Sequence, residues 1–169
     1  MFAVNIVVDQ RHVEGASMAP TLTNGQYVLT NKLAYTSFVP RAFAGDHVDQ
    51  NWHGSLPHRG DIVILRRPND PEARNLVKRV IALPGETVEV RNGTIYVNGE
   101  TVDEPYVLNR DRGSITPVTV PANHVYVMGD NRPVSSDSRA FGPVPMTDIL
   151  GRAWFRYWPL DQLGLLPAA

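Results

Sequence analysis

Thr87-Val88-Glu89-Val90-Arg91-Asn92-Gly93-Thr94-Ile95-Tyr96-Val97 is the stretch whose reading decides the fold class. Apolar and polar side chains alternate on both sides of Asn92-Gly93, the period of a half-buried strand. Asn-Gly suits a two-residue type I′ turn, in which both central residues need a positive φ. The stretch therefore predicts a β-hairpin, ended by a second Asn-Gly at Asn98-Gly99. Outward from it, short runs of β-branched and aromatic residues recur between Gly, Pro, Asn and Asp, and helical periodicity is nearly absent. Strands are predicted at residues 2–8, 26–31, 61–65, 77–82, 87–91, 94–97, 124–128 and 149–156. The 14 prolines and 13 glycines are spread along the chain and fit many turns and few helices. The expected fold class is all-β.

A chain of 169 residues suits a single domain, residues 1–169. The formal net charge of −1, with basic residues scattered apart from pairs such as Arg66-Arg67 and Lys78-Arg79, gives no field to gather nucleic acid. The absence of cysteine removes disulfides, thiolate zinc sites and cysteine nucleophiles together. No stretch approaches the roughly 20 apolar residues that span a bilayer. Residues 2–8 are of strand length, contain Asn5 and lack the basic flank of a signal peptide. Read alone, the chain is expected to be soluble. Its apolar residues begin directly after Met1, however, so an upstream segment could be missing. Residues 34–59 show no period and read as a long loop, with one helical turn near residues 32–35, of the kind that tends to be functional or mobile.

Three segments carry chemistry. In Val13-Glu14-Gly15-Ala16-Ser17-Met18-Ala19-Pro20-Thr21-Leu22 a serine lies among small residues that let a substrate backbone approach, and Pro20 fixes the chain beyond it. The same composition describes a plain surface turn. In Asn75-Leu76-Val77-Lys78-Arg79-Val80-Ile81-Ala82-Leu83-Pro84-Gly85-Glu86 a lysine lies inside an apolar strand. Burial would disfavour its ammonium form and let the amine accept a serine proton. Strand alternation places Lys78 and Arg79 on opposite faces, so only one is expected inside, and an exposed Lys78 is the plain alternative. The third segment runs from Val125 into Gly129-Asp130-Asn131-Arg132-Pro133-Val134-Ser135-Ser136-Asp137-Ser138-Arg139-Ala140-Phe141-Gly142. Asp130, Arg132, Asp137 and Arg139 can stiffen it as an ion-pair network, and Ser135, Ser136 or Ser138 can reach a nearby amine. A solvated polar loop has the same composition. His12 is five residues before Ser17, and His47, His53 and His58 share the long loop with Asp46 and Asp49. None has a zinc spacing, and no metal or cofactor is expected.

Taken together and in this order, the segments resemble the type I signal peptidases, or leader peptidases, from Val13 to about Pro159. Ser17-Met18-Ala19-Pro20-Thr21-Leu22 is similar to the family's serine box. Lys78-Arg79-Val80-Ile81-Ala82-Leu83-Pro84-Gly85-Glu86 is similar to its lysine box. Gly129-Asp130-Asn131-Arg132, with Ser135, Asp137, Ser138, Arg139 and Gly142, resembles its last box.

The resemblance implies a Ser–Lys dyad on antiparallel sheets that form a coiled, barrel-like core, with residues 86–107 as a small β-hairpin extension. Ser17 would be the nucleophile and Lys78 the general base, working through an acyl-enzyme. Ser135 would orient the Lys78 amine. Asp130, Arg132, Asp137 and Arg139 would support the site, with Arg79 paired to one carboxylate. Where some members carry a serine hydroxyl two residues before the nucleophile, this chain has Gly15, so the oxyanion donors would be the Ser17 N–H and a second N–H from the Gly15 turn. Pro133-Val134 replaces an Asp-Asn pair common in the family, which implies one loop ion pair fewer. Met18 and Val77 would line the substrate site. The implied partners are signal peptides of exported preproteins, cut after small residues of the Ala-X-Ala type, and the membrane surface. The implied location is the extracytoplasmic face, with an N-terminal anchor that this chain does not contain. Two other readings stand beside it. One is a related Ser–Lys processing peptidase, of an organelle inner membrane or of the self-cleaving repressor type. The other is a non-catalytic β-rich binding module.

Overall fold

The structure is a computed structural model and describes residues 8–35, 55–72 and 74–167. The expected strand at residues 2–8, apart from Val8, and the greater part of the 34–59 loop, with His47 and His53, lie outside the described residues.

The fold is all-β, and its strands form two antiparallel sheets. The larger is a curled half-barrel ordered β1 (Val8–His12), β2 (Tyr27–Asn31), β11 (Ile149–Trp158), β3 (Ile62–Arg66), β4 (Asn75–Ala82), β9 (His124–Met128) and β10 (Val144–Pro145), with β12 (Gly164–Leu165) added to β11. The smaller is ordered β7 (Glu100–Thr101), β6 (Thr94–Val97), β5 (Thr87–Arg91) and β8 (Ile115–Thr119). Residues 32–35 form a turn.

The hairpin of the opening stretch is β5 paired with β6, Val88 opposite Val97 and Arg91 opposite Thr94. Asn92 and Gly93 have φ of 48° and 79°, as a type I′ turn requires. Asn98-Gly99 repeats the device, with φ of 53° and 85°, and turns β6 back into β7. The small sheet thus reaches past the expected 86–107, because β8 comes from farther along the chain.

β3 is buried from Ile62 to Leu65, on both faces of its pleat. Ile62 and Ile64 join Val13, Met18, Leu22, Val28 and Ala153 in one core, while Val63 and Leu65 join Val80, Val125, Val127 and Met146 in another. A third core, built on Ile81, Val88, Ile95, Tyr126 and Met128, fastens the small sheet to the large one. The consequence for the site lies in β4, at the middle of the large sheet. Lys78 and Arg79 point to opposite faces, yet both are buried, at 2% and 0% exposure. The expectation that only one of them lies inside is therefore corrected: this strand is covered on both sides.

Candidate active site

The Ser17 turn owes its position to its neighbours. Met18 and Leu22 are anchored in the core beneath it, at 1% and 0% exposure. The Leu22 N–H donates to the Met18 carbonyl at 2.9 Å, which closes the turn. From the other side, the Asn131 N–H donates to the Ser17 carbonyl at 3.0 Å and Asn131 Nδ2 to the Ala16 carbonyl at 3.1 Å. Gly129 packs against the same carbonyl, in a space where a β-carbon would collide with Ser17 and Ser135.

Across from the turn, Lys78 Nζ lies 2.8 Å from Ser17 Oγ and donates to the Val77 carbonyl at 3.0 Å. Burial pushes the lysine down from 10.5 to about 8, with Arg139 and Arg67 adding to the fall and Asp137 and Asp130 opposing it. The amine is therefore neutral in a large share of molecules at mildly alkaline pH, and a neutral amine accepts the serine proton.

Arg79 turns to the opposite face. Its Nε and Nη2 grip Asp130 at 2.9 and 2.8 Å, its Nη1 donates to the Gly60 carbonyl at 2.9 Å, and the Tyr106 ring covers it at 3.9 Å. Asp130 also accepts from Thr21 Oγ1 at 2.6 Å, which ties the serine turn to the same carboxylate. Asp137 caps the short helix α1 (Ser138–Phe141) and takes Arg139 in a two-point pair at 2.8 and 2.9 Å, together with the Gly129 N–H at 3.0 Å. Burial works against its carboxylate, but Arg139 and the Gly129 N–H outweigh that and hold its pKa below the usual value.

The four charges of the loop do not simply pair with one another. Arg132 goes to Glu104, a fully buried carboxylate of the segment after β7, and Arg139 takes a second partner in Asp111 of the same segment. Neither acid stood out in the sequence, since an isolated charge in a polar turn has no period. The Pro133-Val134 pair forms a single 3-10 turn, Arg132–Val134, with proline in its first positions.

Two expectations are corrected here. Ser135 does not hydrogen-bond the Lys78 amine: its buried Oγ meets no partner at bonding geometry among the described residues. It leans toward the Asp137 carboxylate, helping to lower that pKa without closing a directed bond. The Gly15 N–H is no second oxyanion donor, because it is spent on Asn24 Oδ1 at 3.0 Å. The Ser17 N–H donates to no group among the described residues. Ser136 is exposed, and Ser138 Oγ accepts the Val127 N–H at 3.0 Å.

Beside Ser17 and Lys78 runs an open groove of about 520 Å³, whose walls include Gly15, Met18, Val77, Leu76, Arg67 and Arg74. Met18, almost wholly buried, and the half-buried Val77 form part of this wall. No group of three or more metal-ligating side chains occurs among the described residues.

The family model described as "Signal peptidase, peptidase S26" matches residues 1–158. This chain belongs to the signal peptidase family. The Probable signal peptidase I-1 of Synechocystis is 35% identical over 95% of this chain and 76% of its own length. The Signal peptidase I of Bacillus caldolyticus is 38% identical over 89% of this chain and 79% of its own. Among solved structures, a signal peptidase I from Enterococcus faecalis is 34% identical and superposes with a TM-score of 0.53, covering 58% of this chain and 97% of that one. The chain is accordingly a hydrolase of the serine peptidase class.

Proposed function

We propose that this chain removes signal peptides from exported preproteins, cutting after small residues of the Ala-X-Ala type with Ser17 as nucleophile and Lys78 as general base. The observation that carries the reading is the 2.8 Å approach of a buried lysine amine to Ser17 Oγ. The neutral amine takes the hydroxyl proton as Ser17 Oγ attacks the scissile carbonyl, then hands it to the leaving amine. A water activated by the same amine hydrolyses the acyl-enzyme. The Ser17 N–H, free of other partners among the described residues, is placed to stabilise the oxyanion. The supporting charges hold the two reacting side chains in place: Asp130 is shared by Arg79 and Thr21, and Asp137 is locked by Arg139.

A membrane surface is the proposed workplace, on the extracytoplasmic side. No helix among the described residues is long and apolar enough to cross a membrane. Trp154, Trp158, Leu160, Leu163 and Leu165 are exposed along the end of β11 and the turn into β12, and such a run of large apolar side chains fits a lipid boundary. The non-catalytic alternative gives no reason to keep an amine buried against a serine hydroxyl.

The test is cleavage of a precursor with an Ala-X-Ala site in detergent, by the parent, Ser17→Ala and Lys78→Ala. Both variants are expected to lose cleavage while remaining folded. Equal cleavage by all three sinks the assignment.

A further inference from the structure

The small sheet does more than extend the fold. Residues 102–114, which connect β7 to β8, send the side chains of Glu104, Tyr106 and Asp111 to the charged groups that surround the site. Glu104, with a fully buried side chain, takes the Arg132 guanidinium, and Arg110 approaches the same carboxylate at 3.7 Å. The Tyr106 ring lies 3.9 Å over the Arg79 guanidinium. Asp111 pairs with Arg139, whose other face holds Asp137. The segment is itself pinned by the Asn92-Gly93 turn: the Gly93 N–H donates to the Gly113 carbonyl at 2.9 Å and the Asn92 N–H to Ser114 Oγ at 3.1 Å. A β-carbon at Gly93 would run into the Asp111 backbone carbonyl.

On the reading that Ser17 and Lys78 are the reacting pair, we propose that this connection is a brace, in which Asp111 is a positioning residue for that pair through Arg139, Asp137 and Gly129. Arg139 is divided between two carboxylates, Asp137, which holds the Gly129 N–H beneath the Ser17 carbonyl, and Asp111 on the brace. The charged groups acting on the amine are Asp137, Asp130 and Arg139 from the loop and Arg67 from beyond β3. Arg11, His12, Glu14 and Arg74 line the same groove. When the Asp111 charge is removed, Arg139 is less neutralised. That makes the surroundings of Lys78 more positive, so its neutral form is favoured further. The loop also loses one of its ties to the small sheet, which loosens the alignment of amine and hydroxyl.

The experiment is the pH profile of kcat and kcat/KM on an Ala-X-Ala precursor, in detergent, for the full chain and three variants. Asp111→Asn is the decisive one. Asp111 is about one-third exposed, so this variant is expected to fold, as a thermal melt will check. Its kcat should fall about 3- to 10-fold with KM nearly unchanged, and its acid limb should move to lower pH by about 0.3 of a unit. Asp111→Glu should restore both. Asp103→Asn, an exposed neighbour on the same connection, should match the parent. An Asp111→Asn limb that stays at the parental pH overturns the brace, whatever happens to kcat or to the melting temperature. A parent profile with no acid limb instead overturns the Ser17–Lys78 reading, and the brace falls with it.

Discussion

Replacing Gly129 with alanine tests how closely the nucleophile is held. A β-carbon at this position would lie 2.6 Å from Ser135 Cβ, and nearer still to Ser135 Oγ and the Ser17 carbonyl oxygen. Carbon atoms pack at about 3.5–4.0 Å, so something must retreat by about 1 Å. Rotation of Ser135 moves its Oγ but not its Cβ, and the Ser17 carbonyl is backbone, tied to the Asn131 N–H at 3.0 Å. A retreat of this main chain carries Oγ away from Lys78 Nζ, now 2.8 Å distant. Misplacing a reacting group by about 1 Å costs on the order of 100-fold in rate. Gly129→Ala is therefore expected to cleave an Ala-X-Ala precursor about 100-fold more slowly, with the loss in kcat and little change in KM. The assay is a time course in detergent at matched folded concentration, with a thermal melt to confirm folding. Adding Ser135→Gly relieves only one side of the collision, so the double variant should stay slow. A folded Gly129→Ala enzyme within about threefold of the parent would refute the claim that this close approach positions Ser17.

Three further outcomes follow from the same charges. Because neutral Lys78 is the active form and its pKa lies at about 8, kcat/KM should rise with pH up to that point and level above it, and a flat profile would count against the base. The folded-state pKa of Lys78, about 8, is below the 10.5 of the free side chain, so the unfolded chain binds the extra proton between those values and stability rises with pH across that window. The cost of burying the amine is fully present below about pH 8, so Lys78→Met should be inactive but more stable in urea at pH 7, by up to about 3 kcal/mol, and a less stable variant would contradict this. Asp130→Asn strands the Arg79 guanidinium at 0% exposure and should cost about 3–5 kcal/mol in the same measurement; a loss under about 1 kcal/mol would show the pair to be dispensable.

The hairpin at Thr87–Arg91 and Thr94–Val97 was legible because period and turn chemistry agree there, and each Asn-Gly has the positive φ it needs. β8 was not, because Pro117 and the polar Thr116 and Thr119 interrupt a five-residue strand that is only partly covered. The first two residues of β4 and the last two of β11 were missed for the ordinary reason that strand ends lack a signal of their own. At the site, Ser17, Lys78 and the 129–142 loop were found through their order along the chain, which no single segment could have supplied. The alternation rule failed at Arg79 because it assumes one wet face, and here Asp130, Tyr106 and the Gly60 carbonyl cover the second. Glu104 and Asp111 were invisible for a different reason. Their roles depend on which loop they face, and that is set by the core joining the two sheets.

The two-sided burial of β4 has a consequence for errors of alignment. Lys78 lies opposite Val63 and Arg79 opposite Ile62 in the ladder with β3. A slip of one residue would leave the strand hydrogen-bonded and would present the neighbouring cation to Ser17. That cation is a guanidinium, which does not give up its proton in a protein, so the slipped molecule would not activate its serine, and the slip would also part Arg79 from Asp130. Chain length between β3 and β4 therefore guards catalysis as well as topology.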